Sequence, residues 1–92
     1  MISALCFVQV EPGKINAVGR AIASIRGVRS VYSVTGKIDM VALIEVIDHD
    51  HVAEVVNEGI GSVDGVLSTE THIAFKTYRP EDVEAGFSLG EG

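Results

Sequence analysis

An α+β fold, with one four-stranded antiparallel sheet and two helices on one of its faces, is what this sequence predicts, and three observations predict it. A junction occurs twice: Ser24, Ile25, Arg26, Gly27, Val28, Arg29, Ser30 returns as Ser62, Val63, Asp64, Gly65, Val66, Leu67, Ser68. Each copy closes a helical pattern and opens an extended one, so the chain reads as two β-α-β halves. In each copy the Gly stands just past the last apolar helical residue, where a residue without Cβ takes the left-handed C-cap conformation at least cost. Thirdly, the second and third extended stretches are joined by so short a turn that they must be antiparallel neighbours.

The elements follow in order. Ile2 to Val10 reads as a strand with Ala4, Cys6, Val8 and Val10 on one face and Leu5, Phe7 and Gln9 on the other. Both faces are largely apolar, so both are expected to be covered. Glu11, Pro12 and Gly13 break the pattern, and Ile15, Val18, Ile22 and Ile25 recur at helical spacing, which predicts a helix over about Lys14 to Ile25. Val28 to Val34 is a second strand, Thr35, Gly36 and Lys37 form a turn, and a third strand runs from about Asp39 to Val46. Asp48 or Asp50 caps a second helix whose apolar face is Val52, Val55, Val56 and Ile60, a helix about as long as the first. From Val66 to Tyr78 a long final strand alternates Leu67, Thr69, Thr71, Ile73 and Phe75 against Ser68, Glu70, His72, Ala74 and Lys76, and Pro80 stops it.

The order βαββαβ is that of the ferredoxin-like split β-α-β sandwich. Two helices cover only one face of such a sheet, and an uncovered apolar face marks an interface. The expectation is a homodimer joined sheet to sheet, the dimeric α+β barrel arrangement. The division is a folded domain over residues 1–79 and an acidic tail over 80–92, poorly ordered or docked on a neighbour through Val83, Phe87 and Leu89.

Composition narrows the function. A chain of 92 residues forms one domain with a small core, so a partner surface adds useful burial. Its core must come from Val, Ile, Leu and Ala, since 47% of residues are hydrophobic but only 5% aromatic. The net charge of −6 argues against holding nucleic acid directly, which takes clustered Lys and Arg. No apolar run approaches the roughly 18 residues of a membrane span, and the apolar start carries no basic n-region, so a soluble, cytoplasmic protein is expected. The single cysteine, Cys6, reads as a small buried hydrophobe inside a strand.

Candidate chemistry is sparse. In the turn, Gly36 permits positive φ, Thr35 offers a hydroxyl, and Asp39 offers a carboxylate that either holds an ammonium group or binds its own turn's N–H groups. Ser68, Thr69, Glu70 and Thr71 cluster hydroxyls in a strand, where Thr is also simply a good strand former. His49, His51 and His72 lack a fourth ligand at metal-site spacing, and no phosphate loop, nucleophile elbow or Cys/His pair stands out. No metal or cofactor is expected.

The run Gly27, Val28, Arg29, Ser30, Val31, Tyr32, Ser33, Val34, Thr35, Gly36 with Asp39, together with Gly65, Val66, Ser68, Thr69, Glu70 and Thr71, resembles the effector-binding domain of Lrp/AsnC (leucine-responsive, feast/famine) regulators, called the regulation of amino acid metabolism (RAM) domain. The likeness spans about Ile2 to Tyr78, including Val10, Glu11, Pro12, Gly13 at the opening and Lys76, Thr77, Tyr78 at the close. It implies a non-enzymatic amino-acid-binding and oligomerisation module of transcriptional regulation. Its dimers would assemble into octamers or decamers and bind a small effector between them. Full-length members carry a helix-turn-helix domain first; this chain begins at the module's first strand, so the resemblance implies a stand-alone version acting by co-assembly with full-length regulators. It places Thr35, Gly36, Lys37 and Asp39 in the effector pocket, with Thr69 and Thr71 from the last strand. The family often has an aromatic residue or His just before the Asp, where this chain has Ile38.

The rival reading is a small enzyme on the same fold, such as a cofactor-free monooxygenase or an isomerase, with a pocket inside each protomer lined by aromatics, His or Asn. A third is a structural adaptor in which the turn is only a turn. Pocket location discriminates: between subunits for the sensor, inside the protomer for the enzyme, and none for the adaptor.

Overall fold

Gly27 and Gly65 both sit at left-handed backbone angles, φ 99° and 102°, in the computed structural model, which describes residues 1–82. The two junctions are alike in bonding as well: the Gly27 carbonyl accepts from the Glu45 N–H at 2.9 Å and the Gly65 carbonyl from the Glu11 N–H at 2.8 Å. Each glycine thus turns the chain out of a helix and fastens it to the strand beside it. A Cβ on Gly27 would lie 2.8 Å from Val55 and 2.9 Å from Val46, so the close approach demands glycine as much as the angle does.

Between these junctions the expected order holds. β1 is Ile2–Val10, α1 Ile15–Ala23, β2 Val28–Ser33, β3 Met40–Val46 and β4 Val66–Ile73, in one antiparallel sheet of order β2-β3-β1-β4. Pairing fixes the faces, because cross-strand partners point the same way. Ala4, Ile44 and Ile73 align, as do Cys6, Ala42 and Thr71, and Val8, Met40 and Thr69. That face packs under the helices, and its centre joins Val18 and Ile22 of α1 with Val52, Val55 and Ile60 in one buried core.

The second helical stretch departs from expectation. Asp48 caps it, its carboxylate accepting the His51 N–H at 3.0 Å, but only α2, His49–Ala53, has α-helical pitch. Glu54–Gly59 widens into a π-helix, and Ile60–Ser62 tightens into a 3₁₀ turn. The reason lies in the spacing of the buried residues: Val55 and Ile60 are five apart, which an α-helix would splay onto different sides, whereas i→i+5 winding keeps both on the sheet. The Ile60 N–H donates to Val55 O. At Gly59 the stretch runs against Ile25, whose side chain lies 3.0 Å from where a Cβ would stand.

The final strand is shorter than the alternation predicts. It ends at Ile73, with one last bond from the Ala74 N–H to Ser3 O at 2.8 Å; among the described residues β4 pairs with β1 alone, and since Ala4 faces Ile73 and β1 begins at Ile2, nothing is left to pair residues beyond Phe75. Phe75 to Arg79 continue as an exposed arm. The expected tail over 80–92 lies, from residue 83 onward, outside the described residues. No helix among the described residues is long and apolar enough to cross a membrane.

Among the described residues the sheet's other face carries no helix. Leu5 and Phe7 of β1 and Val41 and Leu43 of β3 lie there half-buried by their neighbours alone, and Tyr32 of β2 is 54% exposed. Polar residues rim this patch: Glu45 pairs with Arg29 at 2.8 Å, and His72, edge-on to Phe7, bonds Glu70 at 2.6 Å.

Candidate functional site

The β2–β3 turn closes at one end of the sheet through the Val34 N–H, which donates to Asp39 O at 3.0 Å, and the Asp39 N–H, which donates to Val8 O at 3.0 Å. Gly36 takes φ 109° with open space around it, and Thr35, Gly36 and Lys37 are exposed. The Asp39 carboxylate is committed in a way local sequence did not reveal: Oδ2 accepts the Val10 N–H at 2.7 Å, where β1 bulges between Gln9 and Val10. It therefore binds a neighbouring strand rather than its own turn. Oδ1 takes part in no hydrogen bond among the described residues. Gln9 adds a second tie, its Nε2 donating to Lys37 O at 3.2 Å while its Oε1 accepts from Ser68 Oγ at 2.7 Å.

Thr69 and Thr71 stand elsewhere. Strand β1 separates them from the turn: Val8 pairs with Met40 on one side and Thr69 on the other, and Cys6 with Ala42 and Thr71. Two strand spacings, about 10 Å, therefore divide the two halves of the expected pocket within one protomer. Thr69 is exposed, whereas Thr71 Oγ1 is buried without a hydrogen-bond partner beyond the neighbouring Cys6 thiol. Burial pushes that thiol's pKa up, an effect larger than the opposing contact from Thr71, which keeps Cys6 an unreactive core residue.

A different concavity was not legible in the sequence. An open groove of about 620 Å³ lies at the opposite end of the sheet, between the exit of α1, the end of β3 and the π-helical wall. Ile25, Val46, Ile47 and Val55 make its apolar floor, with Arg26, His51, Glu54 and Glu58 along it. None of Thr35, Gly36, Lys37, Asp39, Thr69 and Thr71 lines it, and of the aromatics, His or Asn that the enzyme reading calls for, the described residues supply only His51. His51 is engaged at the groove's edge: its Nδ1 lies 2.6 Å from Asp48, which raises the His51 pKa and lowers that of Asp48, chiefly through this hydrogen bond. Asp39 and His72 hold different partners, Val10 and Glu70, so no acid–base pair forms between them. Among the described residues no three His, Cys, Asp or Glu side chains gather as a metal site.

The model of the Lrp/AsnC ligand binding domain matches residues 3–83. An HTH-type transcriptional regulator of Pyrococcus abyssi is 28% identical over 80 residues, covering 87% of this chain and 54% of that protein, so the chain spans about half the length of the curated relatives it matches. A crystal structure of a Thermus thermophilus protein superposes with a TM-score of 0.82 at 42% identity, covering 86% of this chain and 99% of that one. The transcriptional regulator of Neisseria meningitidis solved as an L-Met complex shares the fold, with a TM-score of 0.75 at 16% identity over 85% of this chain and 52% of that one.

Proposed function

Since the chain belongs to the Lrp/AsnC ligand-binding domain family, we propose that it is a non-enzymatic, self-assembling module of cytoplasmic transcriptional regulation whose effector is an amino acid or a closely related small molecule. The observation that carries this reading is the bare apolar sheet face of Leu5, Phe7, Val41 and Leu43 next to polar groups that one protomer leaves divided. Sealing that face with a second copy makes a dimer. Contact between dimers, closing rings of eight or ten, then brings the turn of one subunit toward the strand hydroxyls of another.

The chemistry of the turn suits the ligand. Exposed N–H groups around Gly36 and the Thr35 hydroxyl fit an α-carboxylate, and the Asp39 charge, still offering Oδ1, fits an α-ammonium. Exposed Thr69 adds a hydroxyl for the remainder, with Thr71, its Oγ1 buried against Cys6, backing the strand behind it. An effector held between subunits shifts assembly only by its preference for the assembled form. Co-assembly with full-length regulators through the same sheet face would carry that shift to their DNA occupancy. In support of an amino-acid effector, a regulator of this fold forms a complex with L-Met.

Isothermal titration against the common amino acids tests the proposal. The expected result is heat with at least one of them, accompanied by a change in particle mass and lost in Asp39→Asn. No heat and no change in mass with any amino acid would remove the sensing role.

A further inference from the structure

The groove and the arm beyond β4 share one end of the molecule. Met1, Ile47, Ile73, Phe75 and Tyr78 are all exposed, and the pairings of Ile2 with Val46 and of Ala4 with Ile73 set their strands' ends side by side. Phe75 is fully exposed at 106% and Tyr78 is 74% exposed, with the Lys76 ammonium 5.3 Å from the Tyr78 ring centroid. Two solvated aromatics within four residues are costly unless something covers them.

We propose that the arm Phe75–Arg79 of one copy docks in the groove of a second copy, reciprocally. Three features select this occupant. The groove floor of Ile25, Val46, Ile47 and Val55 is apolar and without an aromatic residue of its own, a site for aromatic anchors. Its wall presents Glu54 and Glu58, with Glu45 at its edge, against the single guanidinium of Arg26, an acidic excess, while the arm brings Lys76 and Arg79, so the charges are complementary. Arm and groove also lie at the same end, and a two-fold axis there satisfies both exchanges at once and closes the assembly. This contact is separate from the bare sheet face and from the effector turn at the other end, so it stands or fails independently of the sensing reading.

Directed cross-linking tests it. Chains carrying Phe75→Cys are mixed with longer-tagged chains carrying Glu58→Cys, both on a Cys6→Ala background, and oxidised. The expected product is a disulfide heterodimer, reduced at least tenfold when Lys76→Glu and Arg79→Glu are added to the first chain and recovered when Glu54→Lys is added to the second. A Thr35→Cys chain, cysteine-bearing at the far end, should give no such product with Phe75→Cys. The proposal is overturned by joined Phe75→Cys pairs without a heterodimer, by the absence of cross-linking, by equal yield from Thr35→Cys, or by a double-cysteine chain that closes only within itself.

Discussion

The carboxylate of Asp39 accepts the backbone N–H of Val10 at 2.7 Å, tying the head of β3 to the bulged end of β1 across 29 residues of sequence. The same group is the charge proposed to meet an effector's ammonium, so substitution at Asp39 has two consequences that must be separated. Asp39→Ala leaves the half-buried Val10 N–H without its acceptor and should cost about 1–3 kcal/mol. Asp39→Asn keeps an acceptor oxygen and should cost less, while losing the charge. Thermal unfolding at one fixed protein concentration checks this: Ala should melt several degrees below Asn. Equal melting temperatures would mean that the Val10 bond contributes nothing.

Gly27 and Gly36 share positive φ but not surroundings. Gly36→Ala meets open space and should cost only the left-handed strain of about 1–2 kcal/mol, whereas Gly27→Ala also drives a methyl to within 2.8 Å of Val55. Overpacking typically adds another 1–3 kcal/mol or so. Urea unfolding should rank Gly27→Ala well below Gly36→Ala in midpoint; the reverse order would contradict the packing described for the first junction.

The Asp48–His51 pair makes stability depend on pH in a bounded window. The His51 pKa is raised above its ordinary 6.5, so that contribution is full below 6.5 and fades as pH rises through the raised value. The Asp48 pKa is lowered below its ordinary 3.8, so its contribution is full above 3.8 and fades as pH falls through the lowered value. The difference in unfolding midpoint between the native chain and His51→Ala should therefore be greatest between these two values and shrink on both sides. A difference that grows above pH 7 would show that the pair acts otherwise.

Phe7→Glu or Leu43→Glu places a charge in the middle of the bare sheet face while leaving the helix-side core of Cys6, Ala42 and Ile44 untouched. Each variant should keep its circular dichroism and elute as a smaller species than the native chain. Unchanged assembly in both would move the subunit contact to another surface.

What the sequence disclosed and what it withheld divide along physical lines. The glycine junctions were legible because a residue without Cβ is needed just there, and the two faces of β1 because side chains alternate. The π-helical widening was not, since Val52, Val55, Val56 and Ile60 fit an α-helical stripe until the sheet beneath sets which of them is buried. The end of β4 depends on where β1 starts, a fact outside the alternation of β4 itself. Asp39 and Gly36 could be singled out locally, but the bond to Val10 joins distant segments. The groove is assembled from Met1, the Gly27 junction, the end of β3 and the π-helical wall, none of which carries a signal alone.

Sedimentation equilibrium of the native chain at micromolar concentration bears most directly on the assembling module proposed here. The expected mass is a multiple of the 9.7 kDa chain, two copies at the least. A single 9.7 kDa species across the concentration range would contradict it.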